Sequence, residues 1–321
     1  MIVVNSTNAR IWSKLGTRGS FGAALLDAGT QNRNILAMSA DLCNTSGLDR
    51  FRTAIPDRFI NVGIAEQNMI GIASGLSAAG YVVFATSFSN FIALRSCEQV
   101  RHYLGYMNSN VKIVGLAAGF AMGMFGNTHY GVEDIAVMRA IPNLTIISPA
   151  DSTETVKATL AAAELIGPVY LRLTGGMNNP IVFTEDYPFQ IGKAIMIKKG
   201  SDIAIIATGS MVHYSLAAAN LLGEHGVSAT VINMHTIKPL DTEIIALVSQ
   251  SAKLIVTVEE HSVIGGLGGA IAEYKTKIKN APPQLIIGLR DEYGYAGDYP
   301  FMLDKNGLTS EKIAKTIMEQ I

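Results

Sequence analysis

Residues 61–80 read NVGIAEQNMIGIASGLSAAG, and the fold follows from how this stretch is parsed. Asn61 and Val62 close a short apolar run, Gly63 allows a tight turn, and Glu66 opens a helix. Gly71, Ala73, Ser74, Gly75, Ala78 and Ala79 make that helix poor in bulk, so it should pack very close to something. An acid in a first helical turn gains from the helix dipole, and that alone would explain a glutamate here. Glu66, however, sits in an apolar context that predicts burial, and a buried carboxylate needs a partner.

Outward from this stretch, apolar runs and helical spacings alternate. Strands are expected at 35–41, 59–62, 81–86, 111–117, 144–148 and 169–174. Helices are expected at 17–29, 66–79, 91–106, 132–140 and 152–166, with a glycine-rich loop at 119–130. Residues 1–15 lack clear periodicity and read as a poorly defined leading segment. A Gly-, Asn- and Pro-containing break spans 175–192, and a second alternating unit follows. Its strands are expected at 203–208, 228–234, 254–260 and 284–290, and its helices at 211–223, 242–250, from 267 and at 310–320. This is an α/β pattern of two domains, each a mostly parallel sheet covered by helices. The expected bounds are 1–175, a linker at 176–192, and 193–321.

The totals agree. The 321 residues suit about two domains, and 49% apolar against 16% charged composition allows a large core. A formal charge of −1 without a basic run points away from nucleic acid. Cys43 and Cys97 have neither metal nor disulfide-framework spacing, which suits a reducing cytoplasm. The first residues, MIVVNSTNAR, carry neither a basic region nor a long apolar core, so no signal peptide is expected. The longest apolar segment, 114–126, is broken by glycine and shorter than a membrane span of about 20 residues.

The stretch around Glu66 resembles the pyrimidine-binding segment of the transketolase family of thiamine diphosphate enzymes, and the resemblance runs from about Arg18 to the C-terminus. It implies a thiamine-diphosphate pyrimidine-binding fold followed by a transketolase C-terminal-domain-like fold. It also implies that Glu66 meets the aminopyrimidine ring. The cofactor then supplies its own base, and the protein contributes one placed acid and a dry pocket.

Other candidates follow from the same resemblance. Phe88 and Phe91 in SFSNF correspond to aromatics that pack on the ring; ordinary core packing is the alternative. Arg95 and Gln99 continue the family pattern in RSCEQVR, and Arg95 is a cofactor-binding candidate, with an exposed-face or chain-contact role as the alternative. His129 in GNTHYGVED stands where the family reaches the reacting sugar, as a polariser of the ketose carbonyl or a carrier of a hydroxyl proton. Asp41 in SADL matches an Asp near the cofactor, or is a turn former. Arg18 in GTRGS matches an Arg that binds the far phosphate of a sugar, or is a surface residue; Thr45 in CNTSG is a further substrate-binding candidate.

Departures from the pattern bear on substrate. Where many transketolases carry an acidic pair in a GEDG-like run, this chain has Met124, Phe125 and Gly126. An upstream His falls at Ala117, and a second phosphate-binding Arg falls at Gly175, leaving only Arg172 nearby. A phosphate needs several charge-assisted donors, so the usual pentose-phosphate tail fits poorly, and the options are a different anion, such as a sulfonate, or a tail held by another chain. The GGLGG run in 258–273 gives a weak nucleotide-binding signal and reads better as close helix–sheet packing.

The family holds the diphosphate through a divalent metal on a GDG motif, which this chain lacks. The resemblance therefore implies an N-terminal transketolase-like partner subunit carrying the diphosphate and Mg2+ (or Ca2+), with two copies of each chain. Neither nucleic acid nor a membrane is expected as a partner. The expected activity is transfer of a two-carbon ketol unit from a ketose to an aldehyde. The alternatives are a 2-oxo-acid enzyme, such as a deoxyxylulose phosphate synthase or a 2-oxo acid dehydrogenase β subunit, and a non-catalytic binding subunit.

Overall fold

The computed structural model describes residues 2–321. Its strands are β1 Ile35–Ser39, β2 Phe59–Asn61, β3 Val82–Phe88, β4 Val111–Ala118, β5 Thr145–Ile147, β6 Val169–Thr174, β7 Ile195–Lys198, β8 Ile203–Ala207, β9 Ala229–Asn233, β10 Thr236–Lys238, β11 Leu254–Ser262 and β12 Gln284–Leu289. Its helices are α1 Ser6–Gln31, α2 Asp49–Ala54, α3 Glu66–Ala78, α4 Cys97–Gln99, α5 Asp134–Arg139, α6 Ser152–Glu164, α7 Met211–Glu224, α8 Thr242–Ser249, α9 Leu267–Lys275, α10 Tyr299–Lys305 and α11 Ser310–Met318.

The first sheet runs β10-β5-β6-β4-β3-β1-β2 and the second β12-β11-β8-β9-β7. Both are parallel except at one edge strand each, β10 and β7. The apolar runs that marked the strands are buried along their whole length in β1, β4, β6, β8 and β9, as expected when helices cover both faces.

Strand β10 follows the second unit's β9 but pairs antiparallel with β5, so the chain of the second unit extends the first sheet. Buried polar contacts add to this link. Asn233 donates to both Glu154 oxygens at 2.8 and 2.9 Å, and Asp151 Oδ2 accepts from the backbone of Val182 and Phe183 at 2.7 and 2.8 Å. No helix or strand lies between β6 and β7.

The leading segment differs from expectation. Residues 6–31 form one helix, started by Asn5, whose side chain accepts from Asn8 N at 2.8 Å. Its spacing is masked because Gly16, at φ +72°, kinks it and breaks the apolar periodicity in two.

The strand order places β2 on one side of β1 and β3 on the other. A crevice forms outside the carboxyl ends of the strands where a parallel sheet reverses in this way, and ligands bind there.

Candidate active site at the carboxyl edge of the first sheet

Glu66 is the first residue of α3 and is 2% exposed. Both of its oxygens are engaged: Ser87 Oγ donates to Oε1 at 3.0 Å, and Arg95 Nη1 donates to Oε2 at 2.8 Å. Ser87 comes from the buried end of β3, directly before Phe88. Arg95 ends a wide helical turn, Phe91–Arg95, one of two π-type stretches that flank α4 where a single α-helix was expected. Turns of this kind cluster at functional sites because they re-aim a side chain. Here the turn lays Arg95 over its own first residue, with the guanidinium carbon 3.9 Å from the Phe91 ring centroid.

The rings continue the cluster. Phe88 and Phe91 meet edge-on at 5.6 Å, and His129 lies 5.9 Å from Phe88, 5.6 Å from Phe91 and 5.2 Å from Phe125. The structure thus brings Glu66, Arg95, Phe91, Phe88 and His129 into one connected group.

The loop bearing His129 is pinned from several sides. Asn90 donates to Thr128 O at 2.8 Å, and Gly119 N donates to Gly131 O at 2.8 Å. Phe120 N donates to Glu260 Oε1 at 2.5 Å, and the Tyr130 hydroxyl donates to Tyr295 O. Glu260 and Tyr295 both belong to the second unit, which therefore helps hold the His129 loop in place. Burial pushes the Glu260 carboxyl up, and hydrogen bonds from Ser210, Phe120 and Tyr299 act against that.

The remaining candidates lie elsewhere along the same edge. Asp41 adopts a left-handed turn at φ +59° and exchanges hydrogen bonds with Asn61, backbone to side chain and side chain to side chain, each at 3.0 Å. It is exposed, and among the described residues no hydrogen bond joins it to Glu66, Arg95 or His129. Arg18 is half-buried on α1, and burial lowers its pKa; its side chain has no hydrogen bond or ion pair among the described residues. The loop carrying Thr45 rests on α1 at this point: a Cβ on Gly47 would lie 2.5 Å from Arg18 O. The Thr45 loop therefore lies against α1 near Arg18, and no hydrogen bond or ring contact joins Arg18 or Thr45 to the ring cluster among the described residues.

Ser87 and Glu260 were missed from sequence. A polar residue inside the apolar run of β3 was the available signal for Ser87; Glu260 gave none, because its partners are distant in the chain. Among the described residues, no group of three or more His, Cys, Asp or Glu side chains is gathered to hold a metal ion. No described helix is long and apolar enough to cross a membrane.

Comparison with known proteins agrees with this geometry. The family model for the transketolase pyrimidine-binding domain matches residues 13–179, and that for the transketolase C-terminal domain matches 192–313. A relative in Methanocaldococcus jannaschii, named as a transketolase C-terminal section, is 42% identical over 308 residues, covering 95% of this chain and 96% of its own. The 6-deoxy-6-sulfo-D-fructose transketolase subunit SqwH of Clostridium sp. (strain MSTE9) is 39% identical, covering 94% and 93%. A solved split-gene transketolase, described as an inactive beta4 tetramer, superposes with a TM-score of 0.86 at 38% identity, covering 95% and 97%. Family-model matches to both domains and similarity along nearly the full length of these chains place the protein in the transketolase family.

Proposed function

We propose that this chain is the C-terminal subunit of a split, thiamine-diphosphate-dependent transketolase that moves a two-carbon ketol unit from a ketose to an aldehyde. One observation carries the reading: a buried carboxylate, Glu66, stands at the sheet's carboxyl edge beside the Phe88–Phe91–His129 ring cluster. That donor set fits an aminopyrimidine, which needs one carboxyl for a ring nitrogen and apolar faces on either side.

When bound, thiamine diphosphate supplies the carbon nucleophile for breaking and remaking the carbon–carbon bond. Glu66 holds a proton at the ring nitrogen, and Phe88 and Phe91 confine the ring and exclude water. His129 donates a hydrogen bond to the ketose oxygen or carries its hydroxyl proton. Arg18, with Thr45 beside it, binds the anionic far end of the sugar, and Asp41 contributes at the cofactor's edge. The SqwH relative is named for a sulfonated ketose, which supports an anion other than phosphate as one option for this end.

The diphosphate and Mg2+ or Ca2+ belong to an N-terminal partner, as the missing GDG run indicates. Two features of the surface support a partner at this face. Ile64, Leu94, Met124 and Phe125 are large, apolar and exposed around the site. The small residues of α3 are divided: Ala73 and Ser74 pack into the core, while Gly75, Ala78 and Ala79 are exposed and a Cβ on Gly75 would meet nothing within 4 Å. The assembly proposed is two copies of each chain, in the cytoplasm.

The test is to mix the chain with its N-terminal subunit, thiamine diphosphate and Mg2+ and to follow ketol transfer. Glu66→Ala should slow it by about a hundredfold or more. Wild-type rates in that variant overturn the assignment, and carbon dioxide release from pyruvate selects the 2-oxo-acid reading instead.

A further inference from the structure

The two surfaces that the proposed function assigns to the aminopyrimidine are both occupied by one side chain of the protein itself. Arg95 Nη1 lies 2.8 Å from Glu66 Oε2, and the same guanidinium lies 3.9 Å above the Phe91 ring. Arg95 is 44% exposed while Glu66 is 2% exposed, so the cation covers the carboxylate from the solvent side. Ser87 already takes the other oxygen from within the protein.

The two arrangements exclude one another. Toward Arg95, Glu66 is an acceptor. A pyrimidine ring nitrogen shares one proton with a carboxyl, and that contact needs the solvent-side oxygen that Arg95 already takes, because Ser87 holds the other from within. A guanidinium packed on Phe91 also takes the ring face that a flat heterocycle would use.

The structure indicates which part can move. The Arg95 carbonyl accepts from Gln67 Nε2 at 3.0 Å, tying its backbone to α3. The long side chain turns about several bonds and its guanidinium is partly in water, whereas Glu66 is buried and needs the incoming ring to replace the partner it loses. Opening therefore needs a rotamer change and no backbone movement.

We infer that Arg95 is a displaceable cover on the Glu66 site, which closes the isolated chain to the cofactor ring and swings aside when ring and partner subunit arrive. This rests on the thiamine reading above and deepens it. Arg95 is then a positioning residue that acts through Glu66.

The test uses the full chain without a partner, with thiamine as the calorimetric probe, because thiamine carries the ring without the diphosphate. Arg95→Ala should bind it about tenfold more tightly if the open state is about a tenth populated in the wild type. Arg95→Lys keeps the charge but not the flat fork and should fall between the two. Adding Glu66→Ala to Arg95→Ala should abolish the gain. Circular dichroism checks the fold, and Arg95→Gln replaces the alanine variant if that one does not fold.

Binding by the folded neutral variants that is no tighter than wild type overturns the cover, as does a gain that survives loss of Glu66. A wild-type complex with the N-terminal subunit and Mg2+ that binds no thiamine diphosphate overturns the functional reading and the cover together. If that complex binds while the Arg95 gain is absent, the cover alone fails.

Discussion

Arg172 Nε lies 2.7 Å from Asp134 Oδ2, and both side chains are buried. The pair is fully used: Arg172 Nη2 also reaches Asp134 Oδ1 at 3.1 Å, Gly131 O at 3.0 Å and Glu260 O at 2.9 Å, and Tyr170 donates to Asp134 at 2.6 Å. Arg172 was the remaining arginine near the expected second anion contact. Its guanidinium is spent inside the protein, joining the helix after the His129 loop to β11, and cannot reach a sugar.

Removing one partner of this pair strands a buried charge. Arg172→Met should lower the unfolding free energy by about 3–5 kcal/mol, and Arg172→Met with Asp134→Leu should recover part of that. Denaturant titration of the single and double variants checks it.

Arg18, proposed to bind the anionic end of the substrate, has no hydrogen bond or ion pair to its side chain among the described residues. Arg18→Ala should raise KM for a ketose with an anionic tail by about 10- to 100-fold, the worth of one or two charged hydrogen bonds, with kcat little changed. A ketose with a neutral tail should show no such change. Steady-state kinetics on the reconstituted complex with both substrates checks it.

His261 should make stability pH-dependent. Its Nδ1 donates to Ser262 O at 2.7 Å and its Nε2 accepts from Ala136 N at 3.2 Å, so the neutral ring is the one that fits. Burial pulls its pKa down to about 4. The unfolded chain takes up the proton first, near pH 6.5. The stabilising contribution is therefore present above about pH 6.5 and is lost as pH falls toward 4, by about 3 kcal/mol in all. Glu259, which burial pushes up to about 7, slopes the other way, so the difference between variants is the quantity to read. From pH 7 to 5, wild type should lose about 2 kcal/mol more than His261→Gln. Unfolding curves at the two values check it.

Gly22 and Gly47 let α1 and the Thr45 loop touch. A Cβ on Gly22 would run into Gly47 O, and Gly47 itself is at φ +75°. Gly22→Ala should destabilise by about 1–3 kcal/mol through this overpacking and shift the Thr45 loop on α1. Thermal unfolding and KM for the anionic ketose should both move.

Glu66 was legible because its signals are local: a glycine turn, an acid at a helix start and an apolar setting. The parallel strands were legible because burial on both faces writes itself as an unbroken apolar run, as in β4 and β6. Helix α1 was obscured by Gly16, which splits its period. Strand β10 was invisible because three residues carry no period and its partner, β5, lies about ninety residues away in the chain. For the same reason Arg95 read as a cofactor ligand or a surface residue: nothing in RSCEQVR says that a wide turn will carry it onto Phe91 and Glu66.

Spacing and composition alone were enough for two α/β units and the acid that opens α3, and the family resemblance marked the aromatic and histidine positions that lie near it. These are properties of short segments, where period and turn chemistry act over a few residues. Long-range packing chose the rest: Ser87 and Arg95 on the two oxygens of Glu66, Arg172 on Asp134 instead of on a substrate, and Glu260 holding the loop of His129. Each joins side chains from different segments, and which of them meet depends on strand order and register, which bring together parts of the chain that no local pattern relates.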